Sequence, residues 1–328
     1  MKLPSNLKLV LDSIISKSNT AEIIKAAANV SLRYRRLDNA QSLSIKSDIE
    51  AKAYLASRFP ATFGAAASVL SELSQRLPKF FPQSLLDLGA GSGAMSCAAI
   101  ENWQSLNEIT LVEPNAFLQS LGQEVLKNSY SNINYDWQKI TAQNLNIKKD
   151  YDLITANYVL NEIWQEQGEK TVLKTIEHLW QKTKNALIIV EPGTPQGQDV
   201  ILATRNLLLK LGAEIAAPCP HKDDCPIAKN YNSSEKWCHF SVRIERSKVH
   251  RQIKSGANLS YEDEKFSYLI ATREKAKSIK GRIVGNPRGG KVIQAETCNC
   301  DGTYKEIDIS KSFPDYKLFK KSSWGDAF

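Results

Sequence analysis

Two groups of residues in this sequence have the types and spacing to do chemistry. The first is the run LDLGAGSG, Leu86 to Gly93, followed by Glu113 twenty residues after Gly93. Gly89 and Gly91 let the backbone turn tightly and approach a ligand closely, while Gly93 permits close packing where a helix begins. A carboxylate at Glu113 can hold the two ribose hydroxyls of a nucleoside cofactor. The dinucleotide fingerprint is G-x-G-x-x-G, whereas here the spacing is Gly89-x-Gly91-x-Gly93 with Asp87 two residues ahead. The second group is sulfur. Of six cysteines, Cys97 lies amid Ala and Met in a helix-like stretch and reads as a packing residue. Cys219, Cys225, Cys238, Cys298 and Cys300 come later, in polar, proline-punctuated surroundings such as APCPHKDDCPI and EKWCHFSVR. Without an export signal a disulfide framework is disfavoured, so metal ligation leads: four thiolates satisfy zinc or an iron-sulfur cluster. The spacing C-x5-C-x12-C with a distant fourth cysteine fits neither the common zinc-finger patterns nor a bacterial ferredoxin run, so spacing leaves the metal open. His221 and His239 are further candidate ligands or neighbouring donors.

The elements that must position these groups follow from periodicity. Residues 1–80 read as helices, with apolar residues at helical spacing in Leu9, Leu11, Ile14 and Ile15 and in Ile23, Ile24, Ala27 and Val30. After Leu77-Pro78 short apolar runs alternate with amphipathic stretches: SLLDL, AMSCAAIENW, EITLVE, FLQSLGQEVLKN, INYDW, YDLITAN, a helix over about 168–182, and ALIIVEP. That alternation predicts a parallel sheet covered on both faces over residues 81–215. A helix over 199–211 closes the pattern, and residues 216–260 form a cysteine-rich insertion. KFSYLIATR, GRIVGNP and KVIQAETC, within 261–328, are expected to supply the last antiparallel strands of the same sheet, ahead of a basic tail.

The loop with its strand, helix and acid in register resembles motif I of the S-adenosylmethionine-dependent methyltransferases. The resemblance implies a class I, Rossmann-like doubly wound α/β sheet, here with an N-terminal helical region and a cysteine-rich metal or cluster insertion before the last strands. It assigns Asp87, Gly89, Gly91, Gly93, Glu113 and Asn157 to S-adenosyl-L-methionine. Asn157 ends YDLITAN, at the ligand edge of such a sheet. Many methyltransferases of exocyclic amines carry Asn/Asp-Pro-Pro-aromatic at this place; this chain has Asn157-Tyr158-Val159-Leu160, a departure that speaks against N-methylation of a base. Pro218-Cys219 superficially resembles the Pro-Cys pair of RNA cytosine-C5 methyltransferases, but its position after the fifth strand and its cysteine neighbours suit ligation better than nucleophilic attack.

The order YLASRFPATFGAA, LLDLGAGSGA, VLNEIW, EPGTPQG, APCPHKDDCP and WCHFSVR, with a late cysteine before a glycine, resembles the methyltransferase-like assembly factors of the mitochondrial ribosomal small subunit and their bacterial counterparts. The resemblance implies association with the small ribosomal subunit and its rRNA. It also implies a [4Fe-4S] cluster, with zinc as the alternative, on Cys219, Cys225, Cys238 and Cys298. Cys298 is preferred to Cys300 because it stands four residues before Gly302, as the family's fourth cysteine stands before its glycine. No catalytic residue is carried over. Two activities stand side by side: methyl transfer to rRNA, and a catalytically inactive assembly factor that keeps the cofactor fold and the cluster.

Charge agrees with a polyanionic partner. The formal charge is +8, and residues 236–328 hold 19 Lys and Arg against 11 Asp and Glu, so the surplus is C-terminal. No apolar run reaches the ~20 residues of a membrane span. The start, MKLPSNLKLV, lacks the apolar core of a secretory signal, and Asp12 and Glu22 are unwelcome in a transit peptide. The expected location is the cytoplasm, with the mitochondrion as the alternative.

Overall fold

The structure is a computed structural model that describes residues 1–35, 45–232, 235–253 and 259–328; the remaining parts of the N-terminal helical region and of the cysteine-rich stretch lie outside the described residues. Four helices come first: α1 (Ser5–Ser16), α2 (Thr20–Arg35), α3 (Asp48–Ser57) and α4 (Phe59–Arg76). Strands and helices then alternate through β1 (Ser84–Leu88), α5 (Ala94–Asn102), β2 (Glu108–Val112), α6 (Ala116–Ser129), β3 (Asn134–Gln138), β4 (Tyr151–Asn157), α7 (Leu160–Gln167), α8 (Glu169–Gln181), β5 (Thr183–Pro192), α9 (Pro195–Lys210) and β6 (Glu214–Ala217). After α10 (Pro226–Asn230) come β7 (Phe240–Glu245), α11 (Lys248–Ile253) and β8 (Tyr261–Thr272). The chain ends with β9 (Gly281–Ile283), β10 (Arg288–Gly289), β11 (Ile293–Asn299), β12 (Tyr304–Ile309) and α12 (Tyr316–Phe319).

The large sheet runs β3-β2-β1-β4-β5-β8-β6, with β7 also paired to β8. β1 to β5 are mutually parallel, and β8 enters antiparallel between β5 and β6. This is the strand order of a Rossmann-like methyltransferase sheet. The order reverses at β1, flanked by β2 and β4, so the loops leaving the carboxyl ends of these strands diverge and open a crevice between them.

Both sheet faces are buried, which is why the strands read as continuous apolar runs and not as alternation. Along β5, Ala186, Ile188 and Val190 enter the core beneath α1 to α6, while Leu187 and Ile189 face the core beneath α7, α8 and α9. The first four helices therefore share a core with the sheet. On the other face α8 buries Val172, Ile176, Leu179 and Trp180, one stripe of an otherwise polar helix. No helix among the described residues is long and apolar enough to cross a membrane.

Two points depart from the sequence reading. GRIVGNP and KVIQAETC do not extend the large sheet. They become β9 and β11 of a separate four-stranded antiparallel sheet with β10 and β12. The physical reason is that most of the edge of β8 is already taken: residues 266–272 pair with β5 on one side, while residues 270–272 pair with β6 and residues 261–266 with β7 on the other. Within the cysteine-rich stretch, β7 belongs to the large sheet, so what loops out is residues 218–239. That loop leaves where β6 ends and returns where β7 begins, at a short gap in the same edge of β8. Ser267 spans the gap, its hydroxyl donating to the Cys238 carbonyl at 2.9 Å.

Candidate functional site

The glycine loop forms because β1 ends beside β2 and its next amides still find partners. The N–H groups of Gly89 and Ala90 both donate to the Val112 carbonyl, at 2.9 and 3.1 Å. Gly89 turns with φ +70°, and a Cβ there would lie 2.6 Å from Val159. The loop edges a cavity of about 430 Å³ at the carboxyl ends of the parallel strands. Glu113 reaches back across it: one carboxylate oxygen accepts from the Gly91 N–H at 2.9 Å and the other from the Asn115 N–H at 2.8 Å. Burial raises its carboxyl above the ordinary range against those two bonds.

Of the six residues expected to meet the nucleoside, Gly89, Gly91, Glu113 and Asn157 line this cavity; Asp87 and Gly93 stand behind it. Asp87 has no solvent exposure and accepts hydroxyl hydrogen bonds from Ser96 at 2.7 Å and Thr155 at 2.8 Å. It thus ties α5 to β1 and β4 beneath the loop, and burial pushes its carboxyl up to about 6. Asn157 is 6% exposed, and neither polar atom of its side-chain amide has a partner. An amide left this way is costly unless something fills the cavity and bonds to it.

Further residues complete the site, and Tyr158 stands beside Asn157 at the ligand edge, where the end of YDLITAN puts both. Tyr158 adopts φ +59°, a strained conformation for a bulky residue, and its hydroxyl donates to Glu264 at 3.0 Å. Arg58, beside the start of α4, donates to the same carboxylate at 3.2 Å, so β4, α4 and β8 are clamped together at the cavity edge. Glu191, fully buried at the end of β5, accepts from the first amides of α7, Leu160 at 2.9 Å and Asn161 at 3.2 Å. Burial pushes it up to about 8. Glu162 projects from α7 into the cavity and keeps solvent contact through the mouth. Surrounding protein first, and the charges of Glu113 and Glu166 next, push it up to about 7. The signal available in the sequence was position: Tyr158 and Glu191 directly follow or end parallel strands, where such sheets place their ligand contacts.

The second site gathers sulfur. Cys219, Cys225, Cys238 and Cys298 line one small cavity with His221, whose Nε2 lies 3.4 Å from Cys298 Sγ. Its free volume, about 20 Å³, admits one water-sized guest. Three of the thiols come from the 218–239 loop; Cys298 arrives on β11 from the small sheet. Gly302, in the turn after β11, lets that sheet close in, since a Cβ there would lie 2.8 Å from the Asp223 carboxylate. Cys300 is exposed and outside the cavity, Cys97 is fully buried in α5, and the ring of His239 is stacked on Trp237 at 5.1 Å.

Burial, then the neighbouring thiolates, raises Cys238 well above the ordinary thiol and Cys298 to about 12. Burial likewise raises Cys225. Thiols packed this way ionise together only around a cation, so the donor chemistry fits a thiolate-bound metal or cluster. Among the described residues no group of three or more His, Cys, Asp or Glu is arranged to hold a metal ion. Zinc would hold each sulfur at ~2.3 Å, and a cubane cluster would need more room than the free volume here.

The family model for the mitochondrial small ribosomal subunit protein Rsm22 matches residues 48–328. The human mitochondrial ribosome assembly protein METTL17 is 28% identical over 337 residues, covering 94% of this chain and 68% of that protein. The mitochondrial Rsm22-cox11 tandem protein 2 of Schizosaccharomyces pombe is 24% identical over 384 residues, covering 100% of this chain and 50% of its own length, so the chain spans about half of that relative. Among solved structures, magnesium protoporphyrin IX methyltransferase from Synechocystis with bound SAM is similar over 74% of this chain and 90% of that one, with 15% identity and a TM-score of 0.41, a distant likeness in fold. These relatives correct the cytoplasmic placement expected from the N-terminal residues. Both curated proteins are mitochondrial, and so is the ribosomal subunit that names the family model, which points to the mitochondrion.

Proposed function

This chain belongs to the mitochondrial small ribosomal subunit Rsm22 family, and we propose that it is an S-adenosylmethionine-binding assembly factor for the small ribosomal subunit. The observation that carries this reading is the Glu113 carboxylate bridging Gly91 and Asn115 at the edge of a cavity that also holds the unpartnered amide of Asn157. Each Glu113 oxygen retains a lone pair for a ribose hydroxyl. Asn157 offers its two N–H donors and its carbonyl oxygen to the remainder of the ligand, and the bent loop at Gly89 and Gly91 leaves room for it. The cofactor, when bound, supplies a methyl group on a positively charged sulfonium. Glu162 and Glu166 make the cavity wall acidic, which suits a cation and repels phosphates. RNA docking falls instead to the basic C-terminal part.

Methyl transfer to rRNA is the second reading. It is favoured by Asn157 at the carboxyl end of β4, and it needs no nucleophile from the protein, only positioning and exclusion of water. Calorimetric titration with S-adenosylmethionine tests the pocket: saturable binding to the wild type, lost in Glu113→Ala, is expected, and absence of binding to the wild type would overturn both readings. Incubation with small-subunit rRNA and methyl-labelled cofactor then separates them. Label in RNA that disappears with Glu113→Ala establishes transfer; binding without label leaves the assembly factor.

The four gathered thiols, Cys219, Cys225, Cys238 and Cys298, support a [4Fe-4S] cluster, with zinc as the alternative. The group would join the 218–239 loop to the small sheet, since three ligands come from one and the fourth from the other. Anaerobic purification followed by iron, sulfide and zinc analysis decides. About four irons with matching sulfide support the cluster, about one zinc selects the alternative, and neither metal removes the centre.

A further inference from the structure

A second buried charge faces the thiol cavity, and its chemistry is unaccounted for by the contacts it makes. Arg205, on α9, is 1% exposed and lines the cavity with the four cysteines. Its Nη2 donates to the His221 carbonyl at 3.0 Å and the Asp223 carbonyl at 2.8 Å, both between Cys219 and Cys225. Its Nε is buried without a partner, and among the described residues no carboxylate pairs with it. Arg282 is also 1% exposed at this cavity, but it pairs with Glu72 and donates to the Pro218 and Gly325 carbonyls at 2.6 Å each.

A guanidinium does not give up its proton, so Arg205 keeps a positive charge in the interior with only neutral carbonyls against it. Buried charges are held in folded proteins where an opposite charge meets them. Four thiolates around a dipositive core, whether a zinc ion or the oxidised cubane, leave two negative charges to be met. We propose that Arg205 is a positioning residue of the four-thiolate centre: it supplies counter-charge to the thiolates and, through the two hydrogen bonds of its Nη2, fixes the loop between Cys219 and Cys225. This rests on the metal centre proposed above.

The test uses the full chain purified anaerobically as wild type, Arg205→Gln and Arg205→Lys. Metal and sulfide analysis of the wild type comes first, because absence of metal there defeats the centre itself and says nothing against Arg205 in particular. With a cluster present, the midpoint potential is the readout that a purely structural role would not move. Reduction adds negative charge, so removing the cation in Arg205→Gln should make reduction about tenfold less favourable, a negative shift of 59 mV for one electron. Arg205→Lys keeps the charge but ends short of the Nη2 position, loosening the two carbonyl bonds, so its potential should stay near the wild type while chelator strips its iron severalfold faster. Equal potentials in wild type and Arg205→Gln at equal iron content would overturn the proposal. Should Arg205→Gln fail to fold, Arg205→Lys decides: a potential near wild type supports the charge, and a tenfold shift overturns it. With zinc in place of iron, severalfold faster zinc release to a chelator from Arg205→Gln than from Arg205→Lys supports the proposal, and equal release overturns it.

Discussion

The carboxylate of Glu113 accepts the Gly91 N–H at 2.9 Å across the ends of two adjacent parallel strands. The acid that is to meet a ligand is therefore also what shapes the loop around it. Substitution at Glu113 should loosen the loop as well as weaken the ligand, and Glu113→Gln, which can accept at one oxygen only, should fall between wild type and Glu113→Ala in S-adenosylmethionine affinity.

The two glycines of the loop should respond differently to a methyl group. A Cβ at Gly91 meets nothing within 4 Å, so Gly91→Ala pays only for its left-handed φ of +55°, about 1–2 kcal/mol. At Gly89 the same conformational cost is joined by a 2.6 Å contact with Val159. Gly89→Ala is expected to lower the thermal midpoint more than Gly91→Ala, and differential scanning calorimetry of the pair checks the order.

Asp87 gives the fold an unusual pH dependence. Its carboxyl is raised from 3.8 to about 6 by burial, so the folded chain binds this proton more tightly than the unfolded one. The contribution of Asp87 is then most favourable below about pH 4 and declines as pH rises through about 6, by up to ~3 kcal/mol. Asp87→Asn can keep both hydroxyl partners, because Ser96 and Thr155 can donate or accept. The stability of the wild type relative to Asp87→Asn should therefore fall between pH 4 and pH 7, and denaturant titrations of both chains at these pH values measure it. A difference constant with pH would contradict the assignment.

Cys298 and Cys300 differ by two positions and should differ completely in effect. Cys298 is 8% exposed in the thiol cavity, while Cys300 is exposed outside it. Cys298→Ser is expected to abolish or sharply reduce bound metal and Cys300→Ser to leave it unchanged, as read by metal analysis of the purified chains.

Arg282 fastens the small sheet to the rest of the molecule through Glu72 on α4 and the Pro218 and Gly325 carbonyls. Arg282→Met would leave the Pro218 and Gly325 carbonyls without their donor and the largely buried Glu72 with only Arg76, at 3.9 Å, as a counter-charge, at a cost of about 1–3 kcal/mol. Hydrogen exchange should locate the loss in residues 281–309, with the large sheet retaining its protection.

Local sequence alone determined the parallel half of the molecule and the glycine loop. Strands with both faces buried must be apolar throughout, helices covering them must be amphipathic, and a loop with left-handed residues at 89, 91 and 93 must be built from glycine; each of these is a constraint between near neighbours in the chain. Glu191 was less legible, because its role depends on a partner 31 residues away, Leu160, and the pairing of Tyr158 with Glu264, 106 residues on, was likewise beyond local sequence. The strands after β8 could not be assigned to a sheet from their alternation, which is the same whichever partner they take; the pairing that β5, β6 and β7 already take up along β8 decided that. The cysteines show the division most clearly. Their number and polar settings indicated ligation, and the family resemblance preferred Cys298 through its distance from Gly302, but only the tertiary structure shows which of Cys298 and Cys300 points inward. On β11 the pairing of Cys298 with Arg282 and Tyr304 does so, by bringing its side chain against the 218–239 loop and leaving Cys300 in the turn beyond.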